Sequence, residues 1–264
     1  MKIFLSSIEN GNKQLVEYLL SNNIQVDYIL ISYFYFRKSK YTLDTIKRIG
    51  KEILVDSGAH SFQKGSKVEW ESYTKEYAEW IKANDTKQIL GYFEMDIDNI
   101  VGLDKVFYLR NILEKVSNKI IPVWHKNRGV ADYKDMCKKY SFAAITGFKN
   151  EDIKDHQYLL FLKYARKYKC KIHCLGMTRT NILNTVPFYS VDSSSWKQSA
   201  VYGRFTKFFS GKFKLIHQPK SISVNTISKQ NFIEYTKAQR YFYNKWKNFK
   251  KQFAIILLKT KEIC

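Results

Sequence analysis

Eight times along this chain an apolar, β-rich run hands over to a stretch with helical spacing, and polar residues recur where the runs stop: Asp56 after EILV, Asp96 after GYFEM, His125 after IIPVW, Asp192 after PFYSV. A parallel strand buried on both faces reads as a near-continuous apolar run, and its crossover helix covers it with one apolar stripe. Eight such units with short connections predict an α/β fold, a (β/α)8 TIM barrel, whose chemistry sits at the C-terminal ends of the strands. An open doubly wound sheet shares the alternation but does not require the last strand to pair with the first.

The expected strands are KIFLS, DYILISYF, EILVD, ILGYFEMD, KIIPVWH, FAAITGF, KIHCLGM and FYSVD. The helix expected over SKVEWESYTKEYAEWIKAN places Val68, Tyr73, Tyr77, Trp80 and Ile81 along one stripe, which reads as core packing. Residues 1–205 hold the eight units as a catalytic barrel. Residues 206–264 form a short basic, aromatic-rich extension packed on it. Strand formers with Gly and Lys come first, then a helix over SKQNFIEYTKAQRYFYNKWKNFKKQ whose Lys and Arg face either solvent or phosphates.

A content of 45% hydrophobic and 16% aromatic residues excludes a disordered chain, which lacks the apolar surface to offset ordering entropy. Forty-five Lys+Arg against 24 Asp+Glu leave a formal charge of +21, a field that draws phosphate backbones or anionic membrane surfaces. FAIILL near the C-terminus is too short to span a bilayer, and MKIFLSSIENG turns polar too early for a secretory signal. Both read as buried segments, and no membrane partner is expected. Cys137, Cys170, Cys174 and Cys264 form no CxxC pair, so free thiols and a cytoplasmic location are expected. His173 lies between two of them without a second ligand cluster, so structural zinc is not expected.

In a closed barrel Asp56, Asp96 and Asp192 project from one rim onto a single substrate, and Asp98 points to the same side as Asp96. A lone Asp after a strand is more often a helix N-cap. Three on one rim, with Gly58, Gly147 and Gly176 also at strand ends, point to a site where a flat ligand approaches the backbone.

VDSGAHSFQ resembles the DSGG-F-Q signature of the tRNA-guanine transglycosylase superfamily, (β/α)8 enzymes that exchange guanine for a 7-deazaguanine base. FEMDID is similar to that family's strand ending in a base-reading Asp, and AAITGF to the segment with its backbone glycine. LGMTRTNI resembles its Met-Gly-Val-Gly-Thr-Pro stretch, and FYSVDSSSW the strand carrying its nucleophilic Asp. From Ile53 to Trp196 the order is the family's. The family's zinc-binding Cys-x-Cys-x-x-Cys…His element is missing, SSSW stands where Leu-Pro-Thr-Arg is usual, and Trp124 and His125 fall near the place of a base-binding Gln. This short, zinc-less form looks more like the phage and mobile-element DNA-guanine transglycosylases. The resemblance therefore favours DNA over tRNA as the polymer and a preQ0-like 7-deazaguanine base as small-molecule substrate.

Base exchange at C1′ without hydrolysis or inversion, which the resemblance implies, calls for a covalent glycosyl-enzyme formed by a carboxylate. Asp192 is the expected nucleophile, and Asp56 the acid that protonates departing guanine and then takes a proton from the incoming base. Asp96 or Asp98 accepts from the guanine N1–H and N2 amine. Ser57, Gly147 and His125 are expected to contact the base carbonyl, Gly58 and Gly176 to line the approach, and Met177 or Trp124 to sandwich the ring, with plain core filling the alternative for Met177. Arg179, Arg204, Lys207, Lys212 and Lys214, all after the last two strands, are expected near the mouth, holding a strand with a flipped base. Neither a cofactor nor a metal is implied. The alternatives are a hydrolytic glycosidase using Asp56 and Asp192, a non-catalytic nucleic-acid-binding barrel, and a metal-dependent hydrolase with His125 among its ligands, for which His-x-His spacing is missing.

Overall fold

A computed structural model describes residues 1–10, 13–62, 68–147, 153–217 and 222–247, so the FAIILL segment and Cys264 lie outside the described residues. The core strands are β1 (Lys2–Ser6), β2 (Val26–Ser32), β3 (Gly50–Asp56), β4 (Ile89–Phe93), β5 (Ile120–Ile121), β6 (Val123–Trp124), β7 (Phe142–Thr146), β8 (Lys171–Leu175) and β9 (Ser190–Ser193). They form one parallel sheet in the order β5-β4-β3-β2-β1-β9-β8-β7-β6.

β5 and β6 are two halves of the single expected strand KIIPVWH, divided at Pro122. Proline has no N–H to give to a ladder, and the strand changes partner across it. Glu94 N–H bonds Ile121 O at 3.1 Å on one side, and Ala144 N–H bonds Pro122 O at 2.8 Å on the other. The β5 and β6 ends of the sheet thus meet through one residue, and the eight expected strands close into a (β/α)8 barrel. β9 pairs with β1 in continuous register from Lys2↔Ser190 to Leu5↔Ser193, and together with the junction at Pro122 this completes a ring that an open doubly wound sheet lacks.

Strand alternation divides the apolar side chains between two layers. Phe4, Tyr28, Leu30, Leu54, Phe93 and Val123 fill the barrel interior, while their neighbours Ile3, Leu5, Ile29, Ile53 and Val55 pack under the helices. Around the barrel run α1 (Lys13–Ser21), α2 (Tyr33–Phe36), α3 (Leu43–Ile49), α4 (Trp70–Asn84), α5 (Asp98–Val101), α6 (Leu103–Glu114), α7 (Gly129–Lys139), α8 (Tyr158–Lys167), α9 (Thr180–Thr185) and α10 (Ser195–Val201). The α4 stripe is core as expected, with Tyr73, Tyr77 and Ile81 buried, although Val68 precedes the helix. DYILISYF ends as a strand at Ser32, because Tyr33 turns into α2 and packs its ring against Tyr77 at 4.8 Å and Trp80 at 5.6 Å.

Just past β4, the fully buried Glu94 holds three separate elements. Its Oε2 accepts from Arg110 Nε at 2.5 Å, and its Oε1 from Arg110 Nη2 at 3.0 Å, Arg128 Nη1 at 3.2 Å and Val123 N–H at 2.6 Å. Arg128 Nε also donates to Asp132 Oδ2 at 2.9 Å, so two cations face two anions, and such pairing is what makes a buried ion tolerable.

After α10 the chain forms an antiparallel hairpin, β10 (Arg204–Phe209) and β11 (Lys212–His217), and then α11 (Val224–Lys247). A boundary between residues 205 and 206 would cut β10. α11 belongs to the main core: Phe232, Tyr235, Ala238, Phe242 and Trp246 join the cluster under the barrel helices. Its Gln239 Nε2 donates to Ile3 O at 2.8 Å and Tyr28 O at 2.7 Å, capping carbonyls where β1 and β2 part below their Leu5–Ser6 pairing. Some α11 cations serve the protein itself, since Lys237 pairs with Glu234 and Lys245 donates to Asn184 Oδ1. Cys137, Cys170 and Cys174 are free and buried. Among the described residues, no helix is long and apolar enough to cross a membrane.

Removing the Glu94 carboxylate leaves Arg110 buried without an anion and Arg128 with Asp132 as its one remaining carboxylate among the described residues. Glu94→Ala is expected to cost about 3–5 kcal/mol in urea denaturation, the usual range for breaking a buried pair from one side; a loss below about 1 kcal/mol would show that the network is not what joins β4 to α6 and α7.

Candidate active site

The interior layer of Phe4 and Leu54 ends two residues later at Ser6 and Asp56, and on β9 the inward positions are Ser190 and Asp192. Period two therefore turns these polar side chains into the barrel mouth. There a cavity of about 620 Å³ is lined by residues that include Ser6, Glu9, Ser32, Asp56, His60, Asp96, His125, Gly176 and Asp192. The three carboxyls singled out in the sequence, with His125 and Gly176, share this one cavity.

Asp192 is held from three sides. Gly176 N–H donates to Oδ1 at 2.7 Å, His173 Nε2 lies 3.3 Å from the same oxygen, and Ser6 Oγ donates to Oδ2 at 3.1 Å. His173 is fully buried, and its Nδ1 is 2.9 Å from Ser190 Oγ. Assigning the Nε2–H tautomer satisfies both bonds, with the Ser190 hydroxyl donating to Nδ1. The sequence shows His173 only as a residue between two cysteines. Inward parity shared with Ser190 and Asp192 is the signal that identifies it as the support of Asp192.

Asp56 Oδ2 accepts from Gly58 N–H at 2.9 Å. Burial, and next the neighbouring Asp96 charge, push the Asp56 carboxyl up to about 7. Asp96 is buried; its Oδ2 lies 2.8 Å from His60 Nε2, and its Oδ1 has no hydrogen-bond partner. The Asp96 charge and hydrogen bond raise His60 to about 9, so at neutral pH this side chain is an imidazolium. His60 stands on the short turn Ala59–Ser61 within VDSGAHSFQ, and sequence reasoning passed over it.

Asp98 is engaged elsewhere. It opens α5, its Oδ1 is 2.6 Å from His125 Nδ1, and its Oδ2 accepts from Asn127 Nδ2 at 2.6 Å. Burial would raise its carboxyl, but these bonds outweigh burial and hold it at about 2. Asp98 thus orients His125, and Asp96 is the acid that faces the cavity.

Glu9, in the loop after β1, is a further acid that sequence reasoning did not select. It is buried, its Oε1 accepts from Ser32 N–H at 3.1 Å, and its Oε2 has no partner, nor has Ser32 Oγ. Burial pushes its carboxyl up to about 7.

Several expected contacts face away from the cavity. Ser57 is fully buried, and its carbonyl accepts from Tyr73 OH at 2.6 Å on the helix side. Gly58 serves a turn: φ is +75°, and a Cβ there would lie 2.6 Å from Ser32 Oγ. Gly147 serves packing, because a Cβ would meet Cys174 Sγ at 2.7 Å and Met177 Cε at 2.9 Å. Met177 is fully buried behind it, the plain core filling of the alternative reading. Trp124 is core too, with its ring 5.1 Å from Phe161 and its Nε1–H bonded to Gly129 O at 2.8 Å.

Of the expected basic residues, Arg179 precedes α9 at the mouth but is engaged within the protein, and the other four stand on the hairpin. Arg179 forms an ion pair with Asp155 and donates to Tyr158 OH at 3.2 Å. Arg204, Lys207, Lys212 and Lys214 lie on the hairpin, whose tip is fastened by Asn184 Nδ2 donating to Gly211 O at 2.8 Å. Asn184 is near the end of α9, which starts at the mouth after β8 and finishes beside the start of β9. The hairpin therefore runs down the barrel flank.

The fold also assembles a trio that the sequence spacing hides. Potential ligand atoms of His60, Asp96 and His125 lie within 4.8 Å of one another, the one such group of His, Cys, Asp and Glu among the described residues. Two imidazoles and a carboxylate suit zinc or a similar transition metal, and the Asp98 carboxylate on His125 Nδ1 would fix the orientation of that ring toward an ion.

No protein-family model matches the chain, and no curated protein matches it.

The Asp96 charge raises both of its neighbours. In Asp96→Asn, carboxyl and imidazole NMR titrations are expected to show Asp56 below about 7 and His60 below about 9. Unchanged titration of both groups would contradict the electrostatic account of the site.

Proposed function

We propose that the chain is a guanine transglycosylase, a pentosyltransferase that exchanges guanine in a nucleic acid for a 7-deazaguanine base of the preQ0 type through an Asp192 glycosyl-enzyme. The observation that carries the reading is the convergence of Asp56, Asp96 and Asp192 on one cavity at the C-terminal rim of the barrel. These are the acids that the motif resemblance assigns to proton transfer, base reading and nucleophilic attack.

The chemistry runs in two matched halves. A lone pair on Asp192 Oδ2, the oxygen held only by the Ser6 hydroxyl, forms a bond to C1′ as the C1′–N9 bond breaks. The bonding pair leaves with guanine, and Asp56, protonated up to about pH 7, supplies the proton that neutralises it. The incoming base then gives its N9 proton to the Asp56 carboxylate and attacks C1′. The pair of the C1′–O bond returns to Asp192. Asp96 Oδ1, buried and without a partner, suits acceptance from the guanine N1–H and N2 amine, and His60⁺ balances the Asp96 charge. The formal charge of +21 supports a polyanionic substrate. DNA is the favoured polymer on the zinc-less resemblance, with tRNA the alternative.

Incubation with radiolabelled guanine and guanine-containing DNA or tRNA is expected to incorporate label, and nucleoside mass spectrometry with a 7-deazaguanine precursor present to find the exchanged base. Asp192→Asn is expected to lose exchange by at least about a thousandfold while binding nucleic acid normally. Release of guanine without incorporation would make the protein a hydrolase, and wild-type activity in Asp192→Asn would end the proposal.

The His60, Asp96 and His125 trio supports a second reading, a metal-dependent hydrolase at the same mouth. A metal would have to displace the His60 proton. Zinc titration by calorimetry separates the two readings: micromolar binding lost in His60→Ala favours the hydrolase, and guanine binding untouched by chelator favours exchange.

A further inference from the structure

We propose that the outward face of the β10–β11 hairpin is a stacking platform for single-stranded nucleic acid, with Phe209 as its base-stacking ring and Lys207, Lys212 and Lys214 as its phosphate contacts. It shares with the exchange reading a nucleic-acid partner and none of its chemistry.

The two faces of the hairpin are built differently. On the inner face Thr206 is fully buried, Phe208 packs on Phe242 of α11 at 6.0 Å, and Phe213 stacks on Tyr235 of α11 at 4.2 Å and 18°. The outer face consists of three cross-strand rungs: Phe205↔Ile216, Lys207↔Lys214 and Phe209↔Lys212. Successive rungs are about 6.8 Å apart, two residues of antiparallel strand. Phe209 is 81% exposed, more than any other large apolar side chain among the described residues, and Val201 and Tyr202 just before the hairpin are also exposed.

This arrangement costs the free protein something on two of the three rungs. A phenylalanine in water forgoes its burial, and two lysines directly opposite repel each other. None of Lys207, Lys212 and Lys214 has a hydrogen bond or ion pair among the described residues. A partner that relieves both must be anionic and must offer flat apolar faces. Single-stranded nucleic acid does so, since its bases stack on aromatic rings and its phosphates lie against cations. A duplex keeps its base faces stacked inside.

A second copy fits poorly. The three lysines repel their own kind, and two edge donors of β10 that an added strand would use are already taken: Thr206 N–H by Asn231 Oδ1 at 2.6 Å and Phe208 N–H by Glu234 Oε2 at 2.9 Å. The face runs down the barrel flank from Arg204, so a bound strand would extend from the flank toward the mouth.

The test uses the full chain and fluorescence anisotropy with a labelled oligothymidylate of about 12 nucleotides, within the usual site size for such surfaces. Phe209→Ala is expected to weaken binding roughly 5- to 100-fold, and Phe209→Trp to keep it, as for one stacked base. Lys207→Ala and Lys214→Ala are expected each to lower the slope of log affinity against log salt by about 0.7. Because these side chains are exposed, melting temperatures should match wild type, which separates a binding defect from misfolding. Unchanged affinity in Phe209→Ala overturns the proposal. So does a dimer that Phe209→Ala dissolves in sedimentation, or binding to anionic phospholipid vesicles that Phe209→Ala abolishes while oligothymidylate binding persists. Oligothymidylate carries no guanine, so loss of binding speaks only to the hairpin. Failure of exchange with intact binding speaks only against the proposed reaction.

Discussion

The pairing of β9 with β1 is the constraint on which the rest depends. In an open sheet broken there, Ser6 and Asp192 would stand at opposite edges; in the closed barrel they are hydrogen-bonded at 3.1 Å. Closure also sets Asp56, two strands further round, to face the same space. Two local features make it attainable. Pro122 lets one strand serve both neighbours in turn, and Gln239 caps the carbonyls exposed where β1 and β2 separate. The second of these comes from α11, so that helix is part of the barrel's construction.

Crowding several carboxyls into one cavity raises an electrostatic difficulty that the structure answers residue by residue. Burial and the Asp96 charge push the Asp56 carboxyl up to about 7, so it holds a proton part of the time at neutral pH. Asp96 is paired with the imidazolium of His60. Asp192 is surrounded by an amide N–H, a buried imidazole and a hydroxyl. Asp98 is drawn out of the group by His125 and Asn127. Different environments for chemically equal groups are how an active site divides acid, base and nucleophile roles among carboxylates. Zinc chemistry at His60, Asp96 and His125 and base reading by Asp96 would compete for the same atoms.

Part of the positive charge is used within the protein. Arg110 and Arg128 neutralise Glu94 inside the protein, Arg179 pairs with Asp155, and Lys237 with Glu234. The hairpin lysines have no such partners. A surface whose cations are unpaired and interleaved with exposed rings differs from a merely soluble one, because neither feature lowers the energy of the isolated chain.

The eight strand runs, the amphipathic stripe of Tyr73, Tyr77 and Ile81 and the Asp at the end of three runs were all legible in the sequence, because period and strand-end position are local properties. Parity alone places Asp56 and Asp192 inward. What the sequence could not decide is which of two nearby groups faces the cavity. Asp96 and Asp98 have the same nominal parity, and only the turn into α5 and the bonds to His125 and Asn127 separate them. Ser57, Gly147 and Met177 follow strand ends but pack away from the mouth, and Gly58 turns against Phe34 and Ser32, since backbone direction past a strand end depends on its neighbours. His60, Glu9 and His173 join the site through contacts with residues 36, 23 and 19 positions away in the chain, His60 with Asp96, Glu9 with Ser32, and His173 with Asp192. Local pattern thus determined the elements and the rim, and through-space contact decided the membership and charge of the site, because a side chain's environment is set by what closure brings beside it.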